Sequence, residues 1–496
     1  MLNNLINYYK KIISYLFIII NKMVHIYLFH RDLRIQDNTT LIHQIKTTES
    51  PVVPIFIFTP EQIEKKKNKY FSDNAVQFMC ESLHELLDEI KKNKGKMLFF
   101  KGDNLKVLKA IHKVTPIESI GFNIDYTPYA KKRDNEIKKW CDKNNIICFM
   151  KEDYALFDLL EGETNKKDNT PYLVYTPFMK HVLGELDVRP VDKFKSWAFT
   201  KAKELESLSY NIKESDIDKF YKPNVKINVH GGRSNTLKIL SKIDNFKTYA
   251  KSRDILTYKT TFLGASLHFT TCSIREVYHK MEEVLGKTSG LIRELVFRDF
   301  YMNIIHNFPR VLQGQIKGKN KSYKEEYDNI NWSYNKKIFN AWTEGQTGFP
   351  VIDAAQRQMN TTGYMHNRCR MITSSFLTKD LHIDWTWGEQ YFASKLVDYD
   401  PINNSQGWQW STGNGTDAQP WFRIFNPWTQ QKTWDSNAEY IKLWIPELKD
   451  VLPNDIHNWF KPEVRDKYPN IKYPPPLVNH DEERKETIKL YKDGLK

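Results

Sequence analysis

Between Trp332 and Trp434 the chain concentrates tryptophan, arginine, asparagine and aspartate in closely spaced segments. They read Ala341-Trp-Thr-Glu-Gly-Gln-Thr-Gly-Phe-Pro350, Gly363-Tyr-Met-His-Asn-Arg-Cys-Arg-Met371 and Leu396-Val-Asp-Tyr-Asp400. Asn403-Asn-Ser-Gln-Gly-Trp-Gln-Trp410 and Gly415-Thr-Asp-Ala-Gln-Pro-Trp-Phe-Arg-Ile-Phe-Asn-Pro427 follow. Aromatic faces hold flat rings and bases, and guanidiniums meet phosphates through paired hydrogen bonds. The set therefore suits a planar cofactor or a nucleobase beside a phosphate chain. The same composition would also build an aromatic helical core with internal ion pairs. Spacing tips the balance toward a site.

The elements that must position these groups fall into two kinds. Short apolar runs at residues 24–30, 52–59, 97–101, 119–124 and 146–151 alternate with amphipathic helices. In the helix at 74–90, Val76, Phe78, Met79, Leu83, Leu86, Leu87 and Ile90 share one face. Continuous apolar strands separated by helices predict a doubly wound, Rossmann-like parallel sheet covered on both sides. No GxGxxG follows the first strand, so the common dinucleotide fingerprint is lacking. Residues 23–155 form this α/β unit and 156–230 a Lys-rich, Pro-punctuated connector. Residues 231–496 form a mainly helical domain, with long helical segments at 291–307, 351–377 and 437–448. Residues 1–22 carry an apolar run, Ile12 to Ile20, too short to span a bilayer comfortably. A signal-peptide core, a targeting presequence or an upstream extension ahead of Met23 would account for it, and the extension is preferred.

Composition sets limits. The 496 residues suffice for two domains with a large core, and 40% apolar content excludes wholesale disorder. A net charge of +14, from 74 Lys and Arg against 60 Asp and Glu, favours a polyanionic partner, although lysine richness also serves solubility. The five cysteines, Cys80, Cys141, Cys148, Cys272 and Cys369, form no CxxC pair or metal-finger spacing. They fit a reducing, intracellular compartment, and no metal is expected.

Taken together these segments resemble the photolyase/cryptochrome family. The resemblance includes Leu28-Phe-His-Arg-Asp-Leu-Arg-Ile-Gln-Asp-Asn38, Tyr172-Leu-Val-Tyr-Thr-Pro-Phe178, Thr260-Thr-Phe-Leu-Gly-Ala-Ser266 and Tyr473-Pro-Pro-Pro-Leu-Val-Asn-His-Asp481. It runs from Met23 nearly to the end. It implies an α/β antenna domain, a long connector and a helical domain holding FAD. Most closely the chain resembles the class I enzymes that split cyclobutane pyrimidine dimers in DNA with light, using reduced FADH−.

Carried over residue by residue, the resemblance places flavin phosphates on Thr260, Thr261, Leu263 and Gly264. It places Tyr249, Glu294, Arg298, Asn367, Arg370, Asp398, Asp400 and Asn404 around the rest of the cofactor, with the Tyr249–Thr260 spacing one residue off the family's. Asn404 matches the residue beside flavin N5, where neutral asparagine marks repair enzymes; plant photoreceptors carry Asp there and animal ones Cys. Trp408, Trp385 and Trp332 match the electron relay to the flavin. Glu294, Met371 and Trp410 match the dimer pocket, and Arg253, Arg368 and Arg423 the contacts to DNA phosphates. Phe297 departs from the family's stacking tryptophan, which leaves single- versus double-strand preference open.

Repair of (6-4) photoproducts needs a histidine pair, and the corresponding positions hold Asn367 and Met371, so the cyclobutane dimer is favoured. The loop Asp125-Tyr-Thr-Pro-Tyr-Ala-Lys-Lys-Arg-Asp134 lacks the glutamate that holds a folate in some relatives. A folate, a deazaflavin or no antenna pigment all stay open. The rivals are a light-signalling cryptochrome, disfavoured by Asn404 and the lack of a long tail, and a single-strand (DASH-type) cryptochrome. A plain DNA-binding module without flavin is a third. Damaged DNA is the expected partner; no membrane and no obligate protein partner are implied, and a monomer is expected.

Overall fold

The computed structural model describes residues 23–315 and 319–496. The segment 1–22, read above as an extension or presequence, lies outside them. Among the described residues no helix is long and apolar enough to cross a membrane.

The parallel strands follow the sequence pattern closely: β1 (Val24–Phe29), β2 (Val52–Phe58), β3 (Leu98–Lys101), β4 (Ile117–Ile124) and β5 (Ile147–Glu152). A sixth, antiparallel strand, β6 (Asn211–Ile212), pairs with β3 and completes the order β5-β4-β1-β2-β3-β6. Both faces are covered. On one, α1 (Thr39–Thr48) and α2 (Asp73–Lys92) bury apolar side chains against Tyr27, Phe56 and Phe58. On the other, α3 (Asn104–Val114) and α4 (Pro128–Lys143) pack on Ile26, Ile55 and Phe100. Side-chain oxygens of Asn38, Ser72, Asp103 and Thr127 cap these four helices.

The stretch 156–230, expected to be a connector, contributes β6 to the sheet and carries α5 (Tyr175–Glu185). The helical body then builds from α6 (Gly290–Asn307), α7 (Pro350–Thr362), α8 (Asn367–Lys379), α9 (Trp385–Lys395), α10 (Pro401–Thr412), α11 (Pro427–Trp434) and α12 (His480–Gly494). The expected continuous helix at 351–377 is two helices. Gly363 adopts φ +69° and ends α7, and the His366 side chain then caps α8. Residues 437–448 likewise reduce to the short helix Glu439–Trp444 and a single 3-10 turn.

The two layers meet through charge as well as apolar packing. Arg275 bonds Asp37 at 2.7 Å and Asp153 at 2.8 Å, and Arg34 bonds Asp153 at 2.6 Å and the Thr270 carbonyl at 3.1 Å. Burial opposes ionisation of Asp153, but the two guanidiniums prevail and hold its carboxyl well below the usual carboxylate range.

Candidate functional site

Three helices and two loops enclose a cavity of about 710 Å³, within the roughly 300–1,000 Å³ typical of ligand sites. Each helix offers positions three or four apart, the spacing that aligns side chains on one face. From α6 come Glu294, Phe297, Arg298 and Tyr301; from α8 Asn367, Arg370, Met371 and Ser374; from α10 Asn403, Asn404, Trp408 and Ser411. The turn before α10 adds Asp398 and Asp400, and Arg253, Arg368 and Trp410 complete the rim.

Ion pairs organise the walls. Arg370 Nη2 donates to both oxygens of Asp398, at 2.8 and 3.0 Å, while its Nε donates to the Met365 carbonyl at 2.8 Å. Asp400 caps α10 by accepting from the Asn403 backbone N–H at 2.8 Å. Burial opposes its charge, yet the His268 hydrogen bond at 3.0 Å and the nearby Arg31 and Arg298 hold its carboxyl well below the usual range. At the mouth, Arg253 pairs with Glu294 at 2.5 Å, and Arg368 pairs with Asp254 at 2.8 Å beneath the Trp434 ring. The site's carboxylates thus neutralise two cations expected to face phosphate.

Asn404 has a partner that sequence reasoning missed. Its Nδ2 donates to the Glu389 backbone carbonyl at 3.0 Å and to Glu389 Oε1 at 3.2 Å. Glu389 is fully buried, with Tyr70 beside its carboxyl. Burial pushes its pKa up to about 8, against the hydrogen bonds from Asn404 and Asn320. Tyr175 was also missed as a site residue. Its ring lies 4.3 Å from that of Phe297, centroid to centroid, and its hydroxyl donates to the Arg293 carbonyl at 2.7 Å.

Several other expected residues find their partners outside the cavity. Tyr249 packs close to the start of α6, where a Cβ on Gly290 would lie 3.0 Å from its ring. Thr260 shares a hydrogen bond with the Tyr364 hydroxyl at 3.0 Å. Thr261 accepts from the Leu263 N–H at 3.4 Å, and Gly264 opens a helix of only five residues. Gly264 nonetheless abuts the site, because a Cβ there would lie 2.7 Å from Asp398 Oδ2. Arg298 lines the cavity, but its guanidinium donates to the Tyr154 carbonyl at 2.6 Å and the Leu267 carbonyl at 3.2 Å. Arg423 sits on the exposed loop between α10 and α11. Trp408, Trp385 and Trp332 are buried, at 2%, 3% and 6% exposure. Gly388 lets α9 approach Trp408, since a Cβ there would come within 2.1 Å of the indole.

The donor set fits a flat heterocycle with polar edges. Asn367, Asn403, Asn404 and the Arg370–Asp398 pair supply amide, carboxylate and guanidinium groups beside Phe392, Met371 and Trp408. Among the described residues the buried Nε1 of Trp408 has no hydrogen-bond partner.

Comparison with known proteins agrees. Residues 25–196 match the family model described as DNA photolyase, and residues 291–493 match the FAD binding domain of DNA photolyase. The chain is 31% identical to the deoxyribodipyrimidine photo-lyase of Alkalihalophilus pseudofirmus, over 94% of this chain and 97% of that one. It is 30% identical to that of Escherichia coli K12, over 95% and 99%. This chain belongs to the DNA photolyase family. Among solved structures, it superposes with a TM-score of 0.83 on an archaeal photolyase from Sulfolobus tokodaii, at 36% identity over 95% of this chain and 100% of that one. A cryptochrome from Synechocystis, 24% identical over 94% and 99%, shares the fold with a TM-score of 0.81.

A second cavity, of about 290 Å³, is also typical of an open α/β sheet in its placement. It lies beyond the carboxyl ends of β1, β2 and β4, where the strand order reverses, with Arg31, Thr59, Asp125 and Tyr129 in its wall. Tyr399 and Asp400 line both cavities. The Sulfolobus photolyase was solved with two FAD molecules, with the implication of a novel light-harvesting cofactor.

Proposed function

We propose that this protein is a light-driven DNA repair enzyme that splits cyclobutane pyrimidine dimers. The observation that carries the reading is the convergence of Glu294, Met371, Asn404, Trp408 and Trp410 on one cavity, with Asn404 fixed by Glu389.

In this reading Asn367, Arg370, Asp398, Asp400 and Asn404 hold the ring and chain of FAD, and Tyr249 and residues 260–264 lie toward its phosphates. Reduced FAD, when bound, supplies under blue light the electron that opens the cyclobutane ring and receives it back afterwards. The protein's own part is placement. The positive surface captures DNA with salt-sensitive affinity. A dimer pairs poorly, so its extrusion costs less than that of a normal base, by a few kcal/mol at most. Phe297 with Tyr175 forms one wall of the pocket and Trp410 the other. Glu294 hydrogen-bonds the base edge once a phosphate has drawn Arg253 away from it. Trp332, Trp385 and Trp408 keep the cofactor reduced.

Two features support the cyclobutane lesion over the (6-4) product. Met371 carries no proton to give. His366, beside the site, has its pKa pushed down to about 4 by burial, and its Nδ1 is occupied by the Arg368 N–H at 3.2 Å. It is neutral at pH 7 and cannot serve as an imidazolium acid. The second cavity is the place for an antenna pigment.

The test mixes reduced, FAD-loaded protein with duplex and single-stranded oligonucleotides carrying either lesion, in blue light and in darkness. Light-dependent loss of cyclobutane dimers, at least tenfold slower in Glu294→Ala, is expected. Equal loss in darkness sinks the photochemical reading. Intact dimers alongside normal flavin photoreduction would favour a photoreceptor.

A further inference from the structure

Residues 413–426 join α10 to α11 without regular secondary structure and carry Arg423 to the surface. Loops this long inside compact domains are uncommon and tend to be functional. The first part is anchored: Gln419 Nε2 donates to the Ser411 carbonyl at 2.7 Å, and Trp421 stacks on Tyr491 at 5.6 Å. Beyond it, Phe422 is 62% exposed and the Arg423 side chain is open to solvent. Phe425 then packs against the helical core, and Asn426 caps α11.

Between Trp421 and Phe425 the Arg423 N–H closes a turn onto the Pro420 carbonyl at 2.9 Å, and a buried side chain reaches the Arg423 carbonyl from the helical body. Lys379, the last residue of α8, is fully buried, and its Nζ donates to the Arg423 carbonyl at 2.9 Å. Among the described residues this is the ammonium's one hydrogen bond. The neighbouring Asp380 meets His480 Nδ1 through its Oδ1 at 2.5 Å and makes no hydrogen bond to the ammonium. Burial accordingly pushes the lysine pKa down to about 7, with Asp380 acting weakly the other way. A methionine would fill the same space without desolvating a cation. What the ammonium adds is a hold on that carbonyl.

We propose that Lys379 is a positioning residue for DNA binding, holding the Arg423 segment in the conformation that presents its guanidinium to a phosphate. Through the length of α8, about 18 Å, it ties this segment to the helix that carries Asn367, Arg368, Arg370 and Met371 in its first turns. The inference rests on the proposed role of Arg423 as a phosphate contact.

The test uses full-length, FAD-loaded protein. Hydrogen exchange read by mass spectrometry across residues 417–426 measures the hold without DNA. Lys379→Met should speed exchange there at least tenfold and leave α8 and the flavin spectrum unchanged; Lys379→Arg, which keeps a cationic donor, should restore part of the protection. Should Lys379→Met not fold, Lys379→Gln takes its place. Affinity for a dimer-containing duplex should fall about fivefold in Lys379→Met and in Arg423→Ala, and little further in the double variant. Unchanged exchange, or fully additive losses, overturns the proposal. If Arg423→Ala binds DNA normally while exchange still accelerates, the hold is real but the phosphate role of Arg423 fails, and the positioning purpose with it.

Discussion

Replacing Glu389 by glutamine tests the electrostatics beneath Asn404. The carboxyl is fully buried, and its pKa moves from an ordinary 4.5 to about 8. At about 1.4 kcal/mol per pH unit the displacement corresponds to roughly 5 kcal/mol. Between those two values the folded protein keeps a proton that the unfolded chain has released, so stability falls as pH rises through that window and levels off above pH 8. Water entry and relaxation reduce the effect, and about 1–3 kcal/mol is expected by pH 8. Glutamine is neutral, nearly isosteric, and keeps an oxygen for Asn404. Wild type and Glu389→Gln should therefore have similar melting temperatures near pH 5, with the variant ahead by a few degrees at pH 8. Differential scanning calorimetry of the flavin-loaded proteins from pH 5 to 8.5 gives the comparison. Parallel profiles would show that the carboxyl is ionised at neutral pH, refuting the reasoning.

Three further outcomes are expected. Gly264→Ala places a Cβ 2.7 Å from Asp398 Oδ2 and should push that carboxylate off Arg370, weakening FAD retention at least tenfold by the fluorescence of released flavin. Trp332→Phe should slow flavin photoreduction in an absorbance assay yet spare repair by pre-reduced enzyme; equal defects in both would contradict the relay. Arg368→Ala should lower the slope of log affinity against log salt by about 1, whereas Asp254→Ala, which frees the same guanidinium, should tighten DNA binding.

Much of the sheet was legible because the central strands β1 and β2 are continuous apolar runs, a pattern dictated by burial on both faces, whereas the edge strand β5 is only partly buried. β6 was not, since two residues in a Lys-rich stretch carry no periodicity and pair only because the chain returns past β3. The division of 351–377 turns on the positive φ of Gly363, which lies inside an unbroken helical pattern. At the site, the groups on α6, α8 and α10 were reached through the family resemblance carried residue by residue, and their three- and four-residue spacing brings them to one cavity. Glu389 escaped notice. It sits on α9 among aromatic residues, and only the fold turns its carboxyl inward to Asn404. Tyr175 comes from a segment whose path to Phe297 no local pattern specifies.

The Arg34, Asp37, Asp153 and Arg275 cluster bears on modularity. Fitting this sheet to a foreign helical body would strand a guanidinium or a carboxylate in a dry seam, a fault worth about 3–5 kcal/mol for each broken pair. Chimeras that exchange the α/β half should therefore succeed only when both sets of seam charges travel together.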